Sequence, residues 1–96
     1  MSPKNKKKLD LIRIKLDKLD TELLKLIKKR SNLVNDVLKV KIHKKEIIDQ
    51  KRIKFILKKI KIKSIQSNID TKITNRIWKN MIWSFIDYEK RNFKKR

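Results

Sequence analysis

Apolar residues recur at alternating spacings of three and four along the first part of the chain: Leu9, Ile12, Leu16, Leu19, Leu23, Leu26, Leu33, Val37 and Val40. At 3.6 residues per turn that rhythm puts them on one face, which predicts a single long helix from about Lys8 to about Ile42. The stripe breaks at Arg30, where an apolar residue is due. His43 to Glu46 form a polar break, and Ile47 and Ile48 turn the chain back. Asp49 is placed to cap a second helix, whose apolar face is Ile53, Ile56, Leu57 and Ile60 and which ends near Lys63. A linker at 64–68 leads to the cap-type residues Ser67, Asn68 and Asp70. A third helix is expected from about Asp70 to Asn92, with Ile73, Ile77, Met81, Ile82, Phe85 and Ile86 inward. The pattern predicts an all-α chain of three helices, the first very long. Residues 1–8 read as a disordered basic arm, 9–93 as one helical domain and 94–96 as a basic tail.

Composition narrows the class. Ninety-six residues make one small domain, and a domain of this size buries a limited share of its surface. A very long helix leaves its far end without a partner in the same chain, so a second copy is expected. With no Cys, disulfides and thiolate metal sites are excluded. No Gly and a single Pro leave little turn chemistry, in keeping with helices. The uncharged runs are too short to span a bilayer, and 1–8 lacks the apolar run of a signal peptide. The reading is a soluble, cytoplasmic protein with no membrane partner.

The net charge of +20 is carried mostly by lysine, 24 Lys against 6 Arg, beside 16 Ile and no Ala. This is the composition an AT-rich genome produces on tolerant surfaces. Such a charge attracts nucleic acid in a salt-dependent way, so binding of that kind is expected to be non-specific. Against a lysine bias, an arginine is the less expected choice, which draws attention to Arg13, Arg30 and Arg52.

Arg30 and Lys41 lie about three turns and roughly 16 Å apart along the first helix, and so share a face. Two long cationic side chains leaning across that gap can hold a small anion. Arg13 is roughly 25 Å from Arg30 and joins only if a second, antiparallel copy brings its own Arg13 alongside. Asp49 and Arg52, at i and i+3, sit on the neighbouring helix at the Lys41 end. Position alone also allows plainer roles. Arg13 and Lys41 serve equally as solvated flanks, Arg30 as half of a structural ion pair, Asp49 as an N-cap and Arg52 as a surface cation. Trp78 and Trp83 suit a core or an interface, and His43 has no metal-ligand neighbour. Nothing suggests a nucleophile, a phosphate-binding glycine loop, a metal site or a cofactor.

Taken together, the run from Leu11-Ile12-Arg13 through Leu19-Asp20 to Arg30, followed by Val37, Lys41, Asp49-Gln50-Lys51-Arg52 and Arg76-Ile77-Trp78 to Glu89, resembles the all-helical (AroQ-class) chorismate mutases. The resemblance implies an intertwined homodimer of three-helix chains with two shared sites. It implies rearrangement of chorismate, a dicarboxylate, to prephenate in aromatic amino-acid biosynthesis, a pericyclic step that needs neither nucleophile nor cofactor. Catalysis then consists of folding the enolpyruvyl arm over the ring and placing positive charge at the breaking ether oxygen. By similarity Arg30 and a second copy's Arg13 clamp the carboxylates. Lys41 bonds the ether oxygen and a carboxylate, Arg52 adds to the cationic field, and Asp49 holds the ring-hydroxyl region through its backbone.

Three positions depart from the commonest pattern. Ile53 stands where many members have Glu, Phe85 where many have Ser, and Glu89 where many have a Gln facing the ether oxygen. The related isochorismate pyruvate lyases, which form salicylate, carry an aliphatic and an aromatic residue at the first two places, so that activity is the alternative. Glu89 must be protonated to donate to the ether oxygen, which implies turnover that rises as pH falls, unless burial holds the proton on the carboxyl. From other classes, a basic helical nucleic-acid-binding module and a structural coiled coil remain. The first needs its cations gathered on one face, and the second leaves Arg30 and the Asp49/Arg52 pair without a role.

Overall fold

The computed structural model describes residues 1–94. Among them are three α-helices and no strand: α1 (Pro3–Val40), α2 (Gln50–Gln66) and α3 (Thr71–Asn92), with a 3-10 turn at Lys44–Glu46. The class is all-α. No helix among the described residues is long and apolar enough to cross a membrane.

α1 starts earlier than its apolar stripe. Ser2 Oγ accepts from the Asn5 backbone N–H at 3.2 Å, and the Ser2 carbonyl accepts from the Lys6 N–H at 2.9 Å. Pro3 then occupies the first helical position, where its missing N–H costs nothing. Residues 3–8, expected as a disordered arm, are instead the first turns of the helix. Lysine is a good helix former, and a run of it needs no apolar stripe to be helical. The far end of the chain ends α3 at Asn92, with Phe93 half-buried. The expected basic tail lies, for Lys95 and Arg96, outside the described residues.

The chain divides into two units, Met1–Leu33 and a second that begins at Val34, with α1 running through the division. The first unit is helix throughout from Pro3 on. Leu9, Arg30 and Ser31 are half-buried there, and the other residues are exposed, the leucines of the stripe among them. The second unit holds the core. Ile47, Ile53, Ile82 and Ile86 form a buried cluster, with Ile48, Ile56, Leu57 and Phe93 packed against it.

Caps and turns account for the second unit's path. Glu46 Oε1 accepts from the backbone N–H groups of Ile42 at 3.2 Å and His43 at 2.7 Å, closing the break after α1. Asp49 caps α2 as expected, its Oδ1 accepting from the Arg52 N–H at 3.0 Å. α2 runs past Lys63, because Ser64 belongs to the helix rather than to the linker. It is buried, donates to the Ile60 carbonyl at 2.6 Å and lies 2.8 Å from Thr74 Oγ1 on α3. The helix ends in a left-handed turn at Asn68, φ 55°, where glycine is the usual choice. The Ile69 N–H reaches the Ser64 carbonyl at 2.8 Å and the Asn68 N–H reaches that of Ile65 at 3.2 Å, so the last carbonyls are satisfied. Asp70 caps α3 by accepting from the Lys72 N–H at 2.8 Å. On α3, Ile82 and Ile86 are buried as expected, whereas Ile73 and Ile77 are exposed and Thr74 takes the buried place between them.

Candidate active site

Lys41 follows the last residue of α1, and its N–H still reaches the Val37 carbonyl at 3.2 Å, so its direction is set by the helix. Glu89 lies on the inner face of α3, one turn beyond Ile86. The two meet: Lys41 Nζ is 3.2 Å from Glu89 Oε1, with 16% and 7% of the respective side chains exposed. A buried carboxylate and a mostly covered ammonium are tolerable because each neutralises the other. A second ion pair, Arg91 with Asp87, is an exposed i,i+4 contact at 2.8 Å. Two nominated residues 48 positions apart in the chain are therefore brought into contact.

The other nominated residues divide between the two units. Asp49 opens α2, its carboxylate accepting from the Arg52 N–H and its carbonyl from the Ile53 N–H at 3.0 Å. A cleft beside Lys41 is lined by Glu46, Ile48, Asp49, Gln50 and Lys51. Arg52 is exposed and holds its guanidinium 5.4 Å from the centre of the Phe55 ring. Ile53, at 9% exposure, is part of the core cluster, and Phe85 is half-buried on α3. In the first unit Arg13 is exposed and Arg30 is half-buried on α1.

One feature beside the pair had no sequence motif. Tyr88 donates from its hydroxyl to Asn35 Oδ1 at 2.7 Å, tying α3 to the last turns of α1. A second cleft, containing Asn35, Leu38, Lys39, Lys41, Tyr88 and Asn92, opens along that contact. Lys41 is common to both clefts. The available signal was Asn35 itself, a poor helix former inside a long helix and next to the tyrosine's level on no pattern that periodicity could reveal.

Residues 12–90 match the model of the family described as chorismate mutase type II. The match covers most of the chain, and the chain belongs to that family. No curated protein and no solved structure gave a match.

Proposed function

We infer that the chain is a chorismate mutase, converting chorismate to prephenate by the pericyclic rearrangement in which the ether C–O bond breaks as a C–C bond forms. The observation that carries this is the covered Lys41–Glu89 pair at 3.2 Å, in a chain that belongs to the chorismate mutase type II family. A lysine held at the base of a cleft supplies positive charge where the ether oxygen gains negative charge. Residues 9–93 form the catalytic domain of a cytoplasmic enzyme.

The active assembly is a homodimer with two shared sites. Arg30 and Arg13 of a second copy clamp the two carboxylates and hold the enolpyruvyl arm over the ring. Lys41 bonds the ether oxygen and a carboxylate. Arg52 adds to the cationic field from the first turn of α2, and Asp49 offers its backbone to the ring-hydroxyl region. Glu89 faces the ether oxygen beside Lys41 and donates to it when protonated. While ionised, the same carboxylate offsets the lysine's charge at the place where that charge is needed.

A second reading rests on Ile53 and Phe85. Ile53 replaces the Glu that in many mutases contacts the ring hydroxyl, and Phe85 replaces the Ser that many carry on the third helix. That is the pattern of the isochorismate pyruvate lyases. The deciding experiment is turnover of chorismate and of isochorismate by the purified protein from mildly acidic to neutral pH. Prephenate from chorismate supports the mutase. Salicylate and pyruvate from isochorismate replace it with the lyase, and no product from either substrate overturns both.

A further inference from the structure

Apart from Arg52, which the proposed reaction uses, α2 carries six cations (Lys51, Lys54, Lys58, Lys59, Lys61 and Lys63) and no acid. Among the described residues none of these cations is in an ion pair. At 3.6 residues per turn, Phe55 and Ile62 lie one above the other on the side of the helix opposite Ile53. They are 54% and 48% exposed. Lys54, Lys58 and Lys61 flank this ridge on one side, with Ile65, 59% exposed, among them a turn further on, and Lys59 and Lys63 flank it on the other. Lys58 and Lys61 also line a recess between α2 and α3, to which α3 adds Lys72, Thr71 and Asn75.

We propose that the outer face of α2 docks on an anionic lipid surface, with Phe55, Ile62 and Ile65 entering the headgroup boundary and the flanking cations meeting lipid phosphates and carboxylates. A convex helix with an apolar ridge between two cationic rows has the form of an interfacial helix that lies in the plane of a membrane. The absence of a spanning helix is a separate matter, since such a helix never crosses the bilayer. A second copy of the chain does not fit this face. Both copies carry +20, and like faces would set six cations against six. A nucleic acid fits it less well. The ridge offers no hydrogen-bond donor to base edges, and the Phe55 ring is bracketed by Arg52 at 5.4 Å and Lys59 at 5.7 Å, which competes with base stacking. Two or three apolar side chains anchor weakly alone, so binding depends on anionic lipid and weakens with salt.

The test is co-sedimentation of the full chain with phosphatidylcholine vesicles, with and without phosphatidylserine. Three variants are compared with wild type: Lys54→Gln/Lys58→Gln/Lys61→Gln, Lys4→Gln/Lys6→Gln/Lys7→Gln, and Phe55→Ser/Ile62→Ser. All the substituted residues are exposed, and helicity by circular dichroism checks that each variant is folded. Binding to serine-containing vesicles alone is expected, weakened roughly a hundredfold by the α2 lysine changes and far less by the charge-matched α1 changes. The ridge variant should lose binding several-fold, most clearly at raised salt. Equal losses from the two lysine sets would reduce the effect to bulk charge and overturn the proposal. An unchanged ridge variant, alongside a single-stranded oligonucleotide bound through the same three α2 lysines, would assign the face to polyanions and overturn it as well.

Discussion

Glu89 and Lys41 show how far single residues can be argued. Each is ordinary in sequence, a carboxylate near the end of a helix and a lysine among 24. Together, covered and 3.2 Å apart, they form the polar centre of the second unit. Lys41→Ala removes the cation expected at the ether oxygen, and kcat should fall by about 10²–10³, the usual cost of losing one such donor. Glu89→Gln keeps a donor that needs no proton. Its kcat should exceed that of the wild type at neutral pH, because the charge offsetting Lys41 is gone and a donor is gained. An unchanged kcat would remove Glu89 from the reaction. Arg30 gives a different contrast. Arg30→Ala should abolish turnover while far-ultraviolet circular dichroism stays helical, and unfolding instead would assign the arginine to a structural ion pair.

At the level of elements, much was legible because local chemistry and the pattern agreed. Asp49 and Asp70 were nominated as caps, and each accepts a hydrogen bond from the first turn of its helix. The inward faces of α2 and the second half of α3 followed from spacing, and Ile53, Ile82 and Ile86 are buried. The start of α1 was not legible from periodicity, since Lys4 to Lys8 carry no stripe and only Ser2 and Pro3 mark the cap. The end of α2 was misplaced because serine is usually a helix terminator, whereas Ser64 is held inside by its bonds to Ile60 and Thr74. The meeting of Tyr88 with Asn35 depends on how α3 sits against the end of α1, which no local pattern encodes. The Asp49 cap can be tested directly. Asp49→Ala should cost about 1 kcal/mol of stability in chemical denaturation. It should also lower turnover beyond what the fraction folded explains, because the same cap sets the direction of Arg52.

For the whole molecule the telling observation is how little of α1 is covered. The helix has no buried residue although Leu16, Leu19, Leu23 and Leu26 share one face, a pattern that a stable chain rarely leaves to water. A second antiparallel copy would cover that face and bring its Arg13 to the level of Arg30, which makes the proposed sites depend on both chains. That dependence has a consequence that activity can read. Arg13→Ala and Arg30→Ala chains should each be inactive alone, since every site in either homodimer lacks one clamp. When the two are unfolded together and refolded as a mixture, half the dimers are mixed. In a mixed dimer one site receives Arg30 from the first chain and Arg13 from the second, and the other site receives neither. Turnover should therefore return to about a quarter of the wild-type value per chain, given random pairing. A site built within one chain would gain nothing from mixing. Recovery well above a quarter would mean that one of the two arginines is dispensable, and the shared clamp would have to be abandoned.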